Sequence, residues 1–145
     1  MTTTKPIATP PSLVEVRRVG NRGRGGRGIF AKEAIKAGTL IERSPVLVVP
    51  DEQVFGPKEG ESPCPRLTWY VFDWREVNGR SEVAIGLGYL SLYNHAWLAN
   101  ATWEARAPDL ITVTAYRDIP AGGEVTINYH GEPDDPEPPA FEVEE

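Results

Sequence analysis

No segment of this 145-residue chain keeps the apolar spacing of an amphipathic helix for three turns. Short apolar or alternating segments recur instead, separated by glycine and proline. Asn78-Gly79 is typical of a tight β-hairpin turn. The sequence therefore predicts a β-rich domain of many short strands. We expect strands at residues 13–19, 29–31, 40–42, 46–49, 67–74, 83–85, 110–115 and 124–129, and an irregular loop over residues 51–66.

An eight-residue pattern occurs twice in the chain, at residues 31–38 and 115–122. Each copy has alanine first, isoleucine fifth and Ala-Gly at the end. Two copies are too few for a solenoid. They favour a pseudo-symmetric pair of turns, and chance recurrence of a common turn is the alternative.

The composition limits the available chemistry to that of a single small domain. Cys64 is the only cysteine, which excludes a disulfide framework and a multi-cysteine zinc site. The other common zinc ligand, histidine, occurs only at His95 and His130, so we predict no metal site. Neither a secretion signal nor an apolar run long enough for a membrane is visible. We expect an intracellular protein without a membrane partner, cytoplasmic or, in a eukaryote, nuclear.

Charge is segregated along the chain. Residues 132–145 hold seven acids and four prolines, and the rest has fourteen acids against fifteen bases. This tail is predicted to be disordered and to aid solubility, or to attract a lysine-rich partner. Residues 1–12, rich in threonine and proline, are predicted to be a disordered leader. A basic patch on the first loop comprises Arg17, Arg18, Arg22, Arg24 and Arg27.

The glycine run over residues 24–28 precedes a short apolar strand. It lacks the Gly-Lys-Ser/Thr of a P-loop, and a Rossmann turn would be followed by a helix. Two functional interpretations remain: a backbone that a ligand approaches closely, or a basic loop that contacts nucleic acid. Taken alone, the run would be a solvated turn.

Three polar or aromatic side chains near the end of the chain complete the candidate site. Asn94 and His95 are adjacent and Asn100 follows, a frame that predicts a loop pinned by side-chain amides. We interpret His95 as a structural residue rather than a base. Tyr129 ends the last predicted strand, where a buried tyrosine is ordinarily part of the core.

In this order, the three motifs resemble those of the SET domain family of protein lysine methyltransferases. The matching residues are 26–31, Asn94-His95 with Asn100, and 123–129. The resemblance spans residues 13–131. It implies a SET-type β-clip of short strands with a threaded C-terminal segment, which is an exception to the rule against threading.

The resemblance also implies a cofactor, S-adenosylmethionine, and a lysine-bearing protein substrate. The backbone of Gly26, Arg27 and Gly28 would contact the methionine part of the cofactor. The Asn94 side chain would bind near its amino-acid end, and the His95 main chain would hold the adenine. Tyr129 would face the methyl transfer as the catalytic residue.

The tail and two substitutions depart from the family pattern. Phe141, the only aromatic residue of the tail, is the candidate lid over the adenine. Ser44 and Trp103 occupy positions where many members have tyrosines. These changes favour an alternative, a SET-fold binding module with weak or no turnover. The other alternative, nucleic-acid binding by the arginine loop, is less favoured because the chain is acidic. The family includes minimal dimeric members, so a homodimer stays open.

Overall fold

The structure, a computed structural model, describes residues 6–8, 11–20, 24–58 and 60–129. Phe141 and the acidic tail lie outside the described residues, as does His130. The described part is mostly β, as predicted. Its strands are β1 Val14–Arg18, β2 Arg27–Ala31, β3 Leu40–Pro50, β4 Val71–Val77, β5 Arg80–Gly86, β6 Asn94–His95, β7 Ala101–Arg106, β8 Leu110–Ala115 and β9 Glu124–Ile127.

The nine strands form two sheets. One has the order β1-β2-β9-β6, and the other the order β4-β5-β3-β8-β7. All neighbouring strands are antiparallel except β6 and β9, which are parallel. The last strand, β9, is thus inserted between β2 and β6. This arrangement brings the Asn-His segment beside the C-terminal strand.

Strand β3 connects the two halves of the larger sheet. It pairs with β8 up to Pro45 and with β5 from Val46 onward. The prediction of two separate strands here was wrong. The chain continues as one strand through Pro45, because this proline lies where β3 changes partner. A proline has no N–H to donate to a ladder, so it is tolerated at such a point.

The segment over residues 67–74 differs from its prediction as a strand. Residues Pro65–Trp69 form a 3-10 turn, and β4 begins only at Val71. Proline suits the first position of such a turn, and the Thr68 hydroxyl donates to the Pro65 carbonyl at 2.6 Å. Local hydrogen bonding thus overrides the β propensity of the aromatic residues. The predicted loop likewise contains a one-turn helix, α1 Glu52–Phe55.

The hairpin prediction is confirmed and one strand was missed. Asn78 and Gly79 have φ of 53° and 77°, as a tight hairpin turn between β4 and β5 requires. Strand β7 escaped prediction because it is an edge strand whose second half, through Glu104 and Arg106, is exposed.

The two copies of the internal repeat pair with each other. Ile35 and Ile119 exchange both backbone hydrogen bonds at 2.8 Å. Gly38 N–H donates to the Ala115 carbonyl, and Gly122 N–H donates to the Ala31 carbonyl, each at 2.8 Å. The repeat is therefore structural: a pseudo-two-fold pair of turns that ties β2 and β9 to β3 and β8.

One apolar core joins both sheets. Its largest fully buried side chains include Tyr93, Phe72, Ile29 and Leu90. The same cluster includes Ile35 and Ile119 of the paired turns. Among the described residues, no helix combines the length and apolar character needed to cross a bilayer.

Replacing Ile119 with Ala should lower the free energy of unfolding by about 2–5 kcal/mol, because a buried side chain at the paired turns is lost and a cavity remains. Denaturant unfolding measures this change. Ile119 is 1% exposed, whereas Leu98 is 71% exposed. Leu98→Ala is therefore the control and should leave stability nearly unchanged. Equal effects of the two changes would contradict the role of the turns.

Candidate active site

The glycine run forms a 3-10 turn, Arg24–Gly26, immediately before β2. Gly25 and Gly26 have φ of 68° and 72°, a left-handed conformation that favours glycine. A Cβ at Gly26 would lie 2.4 Å from the Gly20 carbonyl oxygen. The turn can close this tightly only because it has no side chain there.

A cleft of about 670 Å³ opens against this turn. Its walls combine the glycine backbone with cationic and aromatic side chains. The lining residues are Gly20, Gly25, Gly26, Arg27, Arg66, Trp69 and Tyr70.

The far wall of the cleft was missed by sequence reasoning. Arg66, Trp69 and Tyr70 belong to the segment that we predicted as loop and strand. The sequence feature that could have indicated this wall is the adjacent pair Trp69-Tyr70, which we interpreted only as β propensity. The fold brings Tyr70 so close to the glycine turn that its hydroxyl would lie 2.9 Å from a Cβ at Gly25.

Gly28 and Asn94 lie beside the cleft. Neither is among the residues that line it. Asn94 Nδ2 donates to the Arg27 carbonyl at 2.9 Å and to Glu124 Oε2 at 2.7 Å. A Cβ at Gly28 would lie 2.5 Å from that Glu124 oxygen. Gly28 thus makes room for the hydrogen bond between Asn94 and Glu124, which ties β6 to β9 beside β2.

Asn100 holds the other side of β9. Its Nδ2 donates to the Glu124 carbonyl at 2.8 Å, and its Oδ1 accepts from the Thr126 N–H at 2.8 Å. The amide therefore satisfies both backbone groups, as a neighbouring strand would. The prediction of a loop at this place was wrong, because Asn94-His95 is strand β6, but both asparagines do use their side-chain amides to hold backbone groups.

Tyr129 lies two residues beyond the end of β9 and is partly buried. Its hydroxyl donates to the Tyr93 carbonyl at 2.8 Å. Its backbone N–H donates to His95 Nδ1 at 3.1 Å, and the two rings lie 4.9 Å apart. Because His95 Nδ1 accepts a hydrogen bond, that atom carries no proton. His95 thus orients Tyr129, which agrees with its interpretation as a structural residue.

Two adjacent residues join the phenol to the cleft. The Tyr93 carbonyl accepts a hydrogen bond from the Tyr129 hydroxyl. The side chain of the next residue, Asn94, donates a hydrogen bond to the carbonyl of the cleft residue Arg27. A residue in extended backbone advances the chain by about 3.3 Å. The structure therefore brings the three sequence motifs into one neighbourhood.

Trp103 supports the segment that carries Tyr129. Its indole N–H donates to the Asn128 carbonyl at 3.0 Å, and its ring meets Phe72 edge-on at 4.9 Å. Ser44 is fully buried, and its hydroxyl donates to the Pro45 carbonyl and accepts from the Gly88 N–H. Trp103 and Ser44, the two departures from the family pattern, thus both make hydrogen bonds within the fold.

Among the described residues, Glu42 is the only buried carboxylate. One oxygen accepts from the Tyr93 hydroxyl and the other from the Tyr89 N–H, each at 2.8 Å. Burial raises the pKa of Glu42, and these hydrogen bonds offset part of the rise. Burial and the Glu42 charge also raise the pKa of Tyr93 well above its ordinary value, so Tyr93 stays a donor. Sequence reasoning missed Glu42, which stands in β3 beside Arg43 and Ser44 and belongs to no motif.

The comparison with protein families identifies this arrangement. Residues 26–130 match the SET domain. The chain belongs to the SET domain family. The predicted family and its class of enzyme, a methyltransferase, are confirmed.

Relatives of this SET domain include a Schizosaccharomyces pombe protein named as a methyltransferase and two proteins of solved structure. Over 107 residues it is 36% identical to the Schizosaccharomyces pombe histone-lysine N-methyltransferase, H3 lysine-37 specific, covering 73% of this chain and 67% of that protein. A proposed histone methyltransferase of Plasmodium falciparum is 25% identical with a TM-score of 0.60, covering 83% of this chain and 94% of that one. The Neurospora SET domain protein DIM-5, a histone lysine methyltransferase, shares the fold at 19% identity and a TM-score of 0.61, covering 80% and 51%.

Replacing Glu42 with Gln should make the stability of this SET domain less dependent on pH. A carboxyl group whose pKa is raised by folding stabilises the fold below its unfolded value, here 4.5, and that stabilisation is lost as the pH rises through the folded value. The difference in unfolding free energy should therefore shift in favour of Glu42→Gln as the pH increases from about 4.5. Urea unfolding of both proteins across that range measures it. A constant difference would show that Glu42 has no raised pKa.

Proposed function

We propose that this SET domain transfers a methyl group from S-adenosylmethionine to a lysine side chain of a protein. The observation that carries the proposal is the junction at residues 93 and 94. Tyr93 holds the Tyr129 hydroxyl, and Asn94 holds the edge of the cleft. A cofactor in the cleft and an amine beside the phenol would then lie next to each other.

The cleft fits such a cofactor in size and chemistry. Its volume, about 670 Å³, is in the range of small-molecule sites. Arg27 and Arg66 are suited to the carboxylate of an amino acid. Trp69 and Tyr70 offer aromatic faces, which attract a positively charged sulfur or stack on a base. Gly25 and Gly26 allow close approach of a ligand to the backbone.

The proposed roles follow the motifs. Gly26, Arg27 and Gly28 would form the backbone wall toward the methionine part. Asn94 and His95 would contribute from the adjoining strand, and Phe141 remains the proposed lid of the adenine. When bound, S-adenosylmethionine would supply a methyl group activated by its positively charged sulfur.

The amine must be neutral to act as a nucleophile. A lysine side chain has an ordinary pKa of about 10.4 and is therefore protonated near neutral pH. A site screened from water by aromatic rings disfavours the charged amine. The His95–Tyr129 pair and Trp103, which donates to the carbonyl just before Tyr129, provide such rings.

Orientation supplies the remaining advantage. The Tyr129 hydroxyl oxygen and the Tyr93 carbonyl to which it donates form a polar edge that can accept hydrogen bonds from the amine N–H groups, so that the lone pair of the amine is left to point at the methyl group. Holding the reacting groups in line replaces a random encounter, which can account for much of a rate enhancement. No metal or carboxylate pair is needed in this proposal.

A lysine-bearing protein substrate is supported by the Schizosaccharomyces pombe relative, whose described substrate is a histone lysine. We carry over only the chemical class, a lysine amine on a protein. The alternative function, a binding module without turnover, would use the same cleft without transfer.

Tyr129→Phe should reduce methyl transfer by about 100-fold or more, because the hydroxyl that defines the polar edge is lost while the ring stays. The assay follows radiolabel from S-adenosylmethionine into a lysine-rich protein extract. Tyr116→Phe is the matched control, since Tyr116 is 46% exposed and follows β8 rather than β9. Cofactor binding by calorimetry without any transfer by the unmodified protein would favour the binding module.

Gly25→Ala should weaken S-adenosylmethionine binding by about tenfold or more, because the new methyl group enters the space beside the Tyr70 hydroxyl. Calorimetry measures the dissociation constant. Gly38→Ala is the control, since Gly38 also has a positive φ, 90°, but has open space around its Cβ position. If both variants bind equally well, the cofactor does not use this cleft.

A further inference from the structure

We propose that Glu42 is a positioning residue of the transfer site, which acts through Tyr93 on the Tyr129 hydroxyl. This inference rests on the proposed function. Glu42 itself would contact neither the cofactor nor the amine. Its effect would pass through one side chain and one backbone carbonyl.

The first step is the pair of hydrogen bonds by which Glu42 holds the segment that precedes β6. Its two oxygens accept hydrogen bonds from two different places, the Tyr93 hydroxyl and the Tyr89 N–H. The bonds span the 3-10 turn Leu90–Leu92. A single carboxylate therefore fixes both ends of this turn.

The second step is the transmission to the phenol. Tyr93 is fully buried, and its side chain is anchored at the hydroxyl by Glu42. The backbone carbonyl of the same residue receives the Tyr129 hydroxyl. Tyr93 thus connects β3 to the candidate catalytic residue through its own two ends.

The third step is the space made for the carboxylate. A Cβ at Gly88 would lie 2.4 Å from Glu42 Oε2 and 3.0 Å from Ser44 Oγ. Only glycine leaves room there without displacing the carboxylate.

Among the described residues, no lysine or arginine forms an ion pair with Glu42. Because a buried carboxylate without a cation is costly to the fold, stability alone does not account for this residue.

The test compares Glu42→Gln, Tyr93→Phe and the double variant. Each single change removes part of the same hydrogen-bonded link, so each should lower kcat by about tenfold through misplacement of the phenol. The double variant should lower kcat little further, because residues that act through one contact are not additive. The KM and the calorimetric dissociation constant for S-adenosylmethionine should stay unchanged, since the cleft is lined by other residues.

The controls remove the same chemical groups elsewhere. Glu82→Gln removes a carboxylate that pairs with the exposed Arg75, and Tyr116→Phe removes an exposed hydroxyl. Both should keep the kcat of the unmodified protein. Circular dichroism melting confirms that each variant is folded at the assay temperature, and Tyr93→Phe serves as the second probe if Glu42→Gln does not fold.

The outcomes separate this inference from the proposed function. If the unmodified protein transfers label and Tyr129→Phe does not, but Glu42→Gln and Tyr93→Phe both keep kcat, the positioning role alone is overturned. The same conclusion holds if their effects on kcat multiply, or if cofactor affinity falls in parallel with kcat. If the unmodified protein binds the cofactor without transfer, the proposed function fails and this inference with it.

Discussion

The candidate site depends on the two-residue parallel pairing between β6 and β9. So short a pair has few backbone hydrogen bonds of its own, and side-chain amides provide the rest. Asn94 ties the pair to β2 and Asn100 completes the free side of β9. These bonds are worth most where water is excluded, because a buried amide without a partner is costly. Together with the bonds of Tyr129 to Tyr93 and His95, they fix the glycine turn, the Asn-His segment and Tyr129 relative to one another.

The buried polar groups around this pairing lower the stability of the fold. Glu42, Asn94, His95 and Asn128 are buried in a small β domain that otherwise has an apolar core. The Glu42 bonds hold the segment before β6, the Asn94 bonds connect β6 to β2 and β9, and the His95 ring accepts a bond from the chain after β9. A network of this kind specifies one arrangement, since any displacement leaves a buried donor or acceptor unsatisfied. The same property that lowers stability therefore serves a site that requires a fixed geometry.

Prediction from the sequence succeeded where a residue type has one dominant use. Asn78-Gly79 indicated a hairpin because few other pairs accept two positive φ angles. Prediction failed at residues 67–69, where the local hydrogen bonds of a 3-10 turn override β propensity, and at β7, an edge strand with a weak apolar pattern. Glu42 could not be singled out, because nothing local distinguishes a buried glutamate from an exposed one.

The sequence by itself determined the family, the β-rich class and the identity of the motif residues, because three ordered motifs are enough to specify a known chemistry. The tertiary structure alone decided which groups meet. Arg66, Trp69 and Tyr70 complete the cleft from a segment some 40 residues beyond the glycine turn. Glu42 reaches Tyr93 across 51 positions of the chain. Such contacts arise from strand order and from the paired turns at Ile35 and Ile119, which are long-range interactions that no local pattern records.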